Sequence, residues 1–113
     1  MNRSWSITRC TLFVAQHLEK AAIYEQLAEE CAELSKAALK EARILRGDNP
    51  TPVSEAEALQ NIQEETADVM GCLETLRAVG VAEIESHKLW PLMLEKLERW
   101  VRRIEKKEGA QHE

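Results

Sequence analysis

Helix breakers are scarce in this chain, with four glycines and three prolines among 113 residues. Alanine, glutamate, leucine, lysine and arginine dominate instead, and these are the strong helix formers, so an all-α domain is the natural class. Cysteine is limited to Cys10, Cys31 and Cys72, an odd number without CxxC spacing. That argues against a disulfide framework and a zinc site, and it predicts reduced, mostly buried thiols in a cytoplasmic protein. No apolar run approaches the roughly 20 residues of a membrane span. The run Leu12 to Ala15 is likewise too short for a secretory signal. A basic excess is also missing: the net charge of −5 argues against binding a nucleic-acid polymer, which needs a face that neutralises phosphates. A small phosphorylated ligand is still compatible, because a bound metal reverses the local potential.

Hydrophobic residues make up 44% and charged residues 31%, a globular balance, and the length suits a single domain over residues 1–113. Apolar spacing predicts a first helix from Ser6 to His17. A second, from Lys20 to Arg46, carries a stripe of Ile23, Leu27, Cys31, Leu34, Ala38, Ala42 and Leu45. The breaker-dense Gly47 to Pro52 marks a loop, and Ser54 with Glu57 forms a capping box that opens a third helix running to about Val79. Gly80 is placed to stop it. Val81 to Lys88 reads as a short turn or link, and Pro91 suits the first turn of a last helix. That helix would bring Met93, Leu94, Leu97, Trp100, Val101 and Ile104 to the core. The expected fold is an antiparallel bundle of four to five helices, frayed over 1–5 and 108–113. Helices of about 25 residues span roughly 38 Å, long for so small a domain, which favours a homodimer or homotetramer.

Two carboxylate pairs stand out, Glu30/Glu33 on the second helix and Glu65/Asp68 on the third. Glu95/Glu98 and Glu105/Glu108 share the i,i+3 spacing, so orientation has to discriminate. At about 100° per residue, Glu30 lies about 60° from Leu27 and Glu33 about 120° to the same side. Glu65 lies about 40° from Val69, inside the apolar stripe, and Asp68 about 100° away. Glu95, by contrast, lies about 160° from Leu97 on the outer face. Four inward carboxylates repel one another unless a cation neutralises them, and all-oxygen ligands favour Mg²⁺, Mn²⁺ or Ca²⁺. The competing arrangement is a set of boundary salt bridges with lysines and arginines.

Glu29-Glu30-Cys31-Ala32-Glu33-Leu34, followed by Glu64-Glu65-Thr66-Ala67-Asp68-Val69, resembles the EExxE…ExxD signature of MazG-like all-α nucleoside triphosphate pyrophosphohydrolases. The similarity covers about residues 20–104, and the stretch from Glu33 to Glu65 is longer than in compact members. The resemblance implies Mg²⁺-dependent hydrolysis, with Mn²⁺ as an alternative ion, of a nucleoside triphosphate to the monophosphate and pyrophosphate. It implies Glu30, Glu33, Glu65 and Asp68 as metal ligands, with Glu30 or Glu33 orienting the attacking water. Lys36 and Lys40, one and two turns past Glu33, are candidates for the phosphates, as are Lys96 and Arg99 on the last helix. Asn61 lies on the carboxylate side of the third helix and can reach substrate. Trp5 is the candidate for stacking on the base, whereas Trp100 falls in the core stripe and reads as structural. His17 and His87 have no ligand spacing. Two other functions share these features: phosphoribosyl-ATP pyrophosphohydrolase, and a non-catalytic helical dimerisation or adaptor module.

Overall fold

The computed structural model describes residues 5–47 and 53–111. Within them the regular structure is entirely helical: α1 (Ile7–His17), α2 (Lys20–Arg46), α3 (Glu55–Ala78), a 3₁₀ turn (Ala82–Ile84) and α4 (Ser86–Gln111). The breaker-dense stretch 48–52 lies outside the described residues, as do 1–4 and 112–113. None of the described helices is long and apolar enough to cross a membrane.

The helix boundaries follow from local chemistry. Ser6 Oγ accepts the Arg9 N–H at 3.1 Å and starts α1. Gly47, at φ +67°, ends α2 with its N–H directed at the carbonyls of Arg43 and Ile44. Ser54 Oγ accepts the Glu57 N–H at 3.2 Å, and Glu55 and Glu57 place negative charge in the first turn of α3, where the helix dipole favours it. Gly80, at φ +89°, turns the chain away after α3. The last helix begins earlier than the sequence predicts. Glu85 O accepts the N–H groups of Lys88 and Leu89, so α4 starts at Ser86 and Pro91 lies inside it rather than in its first turn. At the other end α4 continues to Gln111, so residues 108–111, expected to fray, are helical.

The chain forms two compact units, one up to Gly80 and one from Val81 onward. In the first, α1 and α2 both pack on α3. Ala37 and Lys40 share a cleft with Ala58 and Asn61, while nearer the start of α2 Glu30 meets Glu65 and Asp68, so α2 and α3 run antiparallel. The buried core is small: Ile23, Ala37, Ala58 and Leu76, with Thr75 and Glu41 beside them. Thr75 and Thr66 satisfy their hydroxyls by donating to the carbonyls four residues back, Gly71 and Ile62.

The contact stripe of α2 departs from the predicted one. Half-buried and buried positions follow Ile23, Leu27, Glu30, Leu34, Ala37, Glu41 and Ile44, whereas Cys31, Ala38 and Leu45 are exposed. A strict alternation of four and three residues keeps a seam against one partner helix, while the predicted stripe drifts off it. On α3 the matching seam is Ala58, Ile62, Glu65, Val69, Cys72 and Leu76. The thiols also differ from expectation: all three are free, but Cys10 and Cys31 are exposed and Cys72 is half-buried.

The second unit contains the 3₁₀ turn and α4, and every residue of α4 from Trp90 onward is exposed. Taken by itself, this unit leaves Met93, Leu94, Leu97, Trp100, Val101 and Ile104 exposed, Trp100 at 59%, so it builds no core of its own from them. The periodicity located an apolar face correctly, but periodicity carries no information about what covers that face.

Gly71 sits inside α3 without a positive φ, and a Cβ added there meets no atom within 4 Å. Gly71→Ala is expected to stabilise the first unit by about 0.5–1 kcal/mol by reducing the freedom of the unfolded chain. Urea or thermal unfolding monitored by circular dichroism checks this, and a lowered midpoint would show that α3 needs the bare backbone there.

Candidate metal centre

The antiparallel seam brings carboxylates from two helices to one place. Carboxylate oxygens of Glu30, Glu65 and Asp68 all lie within 4.8 Å of one another. Glu30 and Glu65 occupy seam positions and are half-buried; Asp68, one turn past Glu65, is exposed at the edge. Gln26, one turn before Glu30, donates its amide to Glu30 Oε1 at 2.6 Å and holds that side chain in place. The sequence reading did not single out Gln26, although its i,i+4 spacing to Glu30 on one helix face was the available signal.

Glu33, the fourth predicted ligand, is outside the close trio. Its carboxylate pairs with Lys36 Nζ at 3.5 Å, and both side chains are largely in solvent. Glu33 nonetheless lies near enough to act electrostatically on Glu65. Partial burial first, and then the charges of Asp68, Glu30, Glu33 and Glu64, hold the Glu65 carboxyl above its ordinary value. Cys72 faces the same field. Desolvation, followed by the charges of Glu30, Asp68 and Cys31, pushes its thiol up, so it stays protonated and is a poor metal ligand.

Next to the trio is a cleft of about 240 Å³ lined by Glu33, Lys36, Ala37, Lys40, Ala58, Asn61 and Glu65. Ala37 and Ala58 are buried and present only methyl groups, which lets the two helices approach closely below the opening. Lys36, Lys40 and Asn61, predicted as substrate contacts, thus share one cavity with two of the predicted ligands. Trp5 is elsewhere. It stands at the start of α1 in an aromatic cluster, with Arg9 over its ring at 4.4 Å and Phe13 edge-on at 5.5 Å. It lines depressions formed with α1 and with Gly71 and Thr75, none of which contains a cleft residue. Lys96 and Arg99 lie on α4, in the second unit, and are exposed.

Three hard oxygen donors, one of them held above its ordinary carboxylate value by desolvation and then by its neighbours' charge, form a set suited to a divalent cation such as Mg²⁺ or Mn²⁺ and poorly suited to a soft metal. No protein-family model, curated protein or solved structure matches the chain.

The raised Glu65 carboxyl has a definite sign in stability. The folded state holds its proton at higher pH than the unfolded state does. The unfavourable ionisation is therefore felt above the ordinary carboxylate value and is relieved as the pH falls through the Glu65 value. Glu65→Gln should raise the melting temperature at pH 7 in EDTA, with the difference shrinking toward pH 4. An unchanged or lowered midpoint at pH 7 would mean that the cluster is not under repulsive strain.

Proposed function

We propose that Glu30, Glu65 and Asp68 hold a divalent cation, with Glu33 completing the acidic set, and that the protein is a cytoplasmic hydrolase of nucleoside triphosphates. The products in this reading are the monophosphate and pyrophosphate. The observation that carries it is the convergence of the trio within 4.8 Å beside a cleft that also presents Lys36, Lys40 and Asn61. Anionic groups for a cation and cations for an anionic ligand, side by side, suit a metal–polyphosphate complex better than either ion alone. The likeness of the two acidic segments to the MazG-like signature points the same way.

Bound Mg²⁺ would supply neutralisation of the phosphate oxygens and acidify a nearby water. The side chains do the rest. Lys36 and the half-buried Lys40 bind phosphate oxygens and resist the negative charge gathered on the cleft floor. Gln26 keeps Glu30 directed into the trio. Glu33, exposed at the rim, orients the attacking water and accepts its proton, releasing Lys36 to the substrate as it does so. Asn61 offers both a donor and an acceptor to the part of the substrate beyond the phosphates.

A second reading, a helical dimerisation or adaptor module, is favoured by one observation, the exposed apolar face of α4. The two readings separate in a single assay. With Mg²⁺ or Mn²⁺ and a panel of canonical and modified nucleoside triphosphates plus phosphoribosyl-ATP, pyrophosphate release is expected from at least one compound and is abolished by EDTA. Asp68→Asn is expected to lower kcat by about 100-fold or more, a typical loss for a group acting at the reacting centre. Lys40→Ala should raise KM more than it lowers kcat. Absence of turnover across the panel, together with no thermal shift from millimolar Mg²⁺ and nucleotide, would overturn the enzymatic reading.

A further inference from the structure

Gln26 reaches the acidic trio from outside it. Its amide donates to Glu30 Oε1 at 2.6 Å, the short contact expected when the acceptor is a carboxylate. Both groups lie on α2 at i,i+4, so the bond is set by that helix alone and by no neighbouring element. Glu30 in turn is half-buried in the α2–α3 seam, and one of its oxygens lies within 4.8 Å of oxygens from Glu65 and Asp68.

The chemistry of the donor matters. A lysine or arginine at this position would also hold Glu30, but it would cancel part of the negative charge that attracts a cation. A carboxamide fixes the carboxylate and leaves its charge in place. A carboxylate can grip an ion with one oxygen or with both, and the common hard cations differ in which they accept. Ca²⁺, with ligands at about 2.3–2.6 Å in a flexible shell, takes carboxylates either way. Mg²⁺ demands near-octahedral geometry at about 2.0–2.1 Å, which two oxygens of one carboxylate fit poorly. With Oε1 held by the Gln26 amide, turning both oxygens of Glu30 toward an ion means giving up that hydrogen bond.

We propose that Gln26 sets the ion selectivity of the acidic trio: its amide holds Glu30 to one-oxygen ligation, which favours Mg²⁺ or Mn²⁺ and penalises Ca²⁺. Gln26 is a positioning residue, acting through Glu30 and touching neither ion nor substrate. It can act so only where the trio holds a cation, so the proposal rests on the reading given above. It deepens that reading, because three hard oxygen donors by themselves suit all three ions. Removing the hydrogen-bond partner of a metal-ligating group typically costs about 10–100-fold in metal affinity, so an effect of measurable size is expected.

The melting temperature of the full chain, freed of metal with EDTA and then titrated separately with Mg²⁺, Mn²⁺ and Ca²⁺, gives a Kd for each ion without substrate or turnover. In Gln26→Leu the Mg²⁺ Kd is expected to rise by about tenfold or more. The Ca²⁺ Kd should rise less or fall, so that the ratio of the two shifts toward Ca²⁺ by about tenfold. Gln26→Ala should behave alike without adding apolar bulk, and both replacements are good helix formers that should leave the circular dichroism unchanged. Gln26→Lys, which keeps a donor but brings a positive charge, should weaken both ions and leave their ratio near that of the parent. A parent chain that binds none of the three ions overturns the divalent-cation reading, and this proposal with it. A parent chain that binds them, with a Ca²⁺-to-Mg²⁺ ratio unaltered in Gln26→Leu and Gln26→Ala, overturns the role of Gln26 alone.

Discussion

The antiparallel contact between α2 and α3 is the constraint on which the rest of the first unit depends. Its seam alternates steps of four and three on both helices, and alanine at 37 and 58 lets the backbones close. Within that seam two carboxylates occupy positions where aliphatic side chains would pack better. Among the described residues the ion pair nearby, Glu33 with Lys36, involves neither Glu30 nor Glu65, and Glu30 is steadied instead by the Gln26 amide. Geometry imposed by packing has overridden electrostatic preference at one place. Such conflict between local preference and global fold tends to mark sites kept for function.

Glu41 shows that a buried carboxylate alone is not such a mark. It is buried in the same seam, and its Oε2 has no hydrogen-bond partner among the described residues. Glu41 does not line the Lys36–Lys40 cleft and is not part of the acidic trio. What sets Glu30 and Glu65 apart is company: a third carboxylate within reach, an amide that fixes one of them, and a cleft furnished with ammonium groups.

Much of this was legible in the sequence, for identifiable reasons. The end of α2 and both ends of α3 could be read because Gly47, Ser54 and Gly80 act through local backbone chemistry. The inward placement of Glu65 followed from helical phase alone. The seam of α2 was misread because apolar identity was given priority over stride. Choosing Cys31, Ala38 and Leu45 over Glu30, Ala37 and Ile44 follows a repeat of about 3.7 residues instead of about 3.5, enough to rotate the stripe off its partner. The separation of Trp5 from the Lys36–Lys40 cleft depends on how α1 packs on α3, a tertiary contact that no local pattern encodes. The exposure of α4 is the mirror case, since an amphipathic helix announces a face but not its occupant.

Cys72 gives the acidic site a chemical voice of its own. Its half-buried thiol sits in the α3 seam, where desolvation first and then the charges of Glu30 and Asp68 raise the cost of ionising it. Alkylation proceeds through the thiolate, and the fraction of thiolate rises whenever that charge is offset. Labelling of Cys72 itself, resolved from the exposed Cys10 and Cys31, therefore responds at fixed pH to the charge on its neighbouring carboxylates as well as to how far the seam admits solvent.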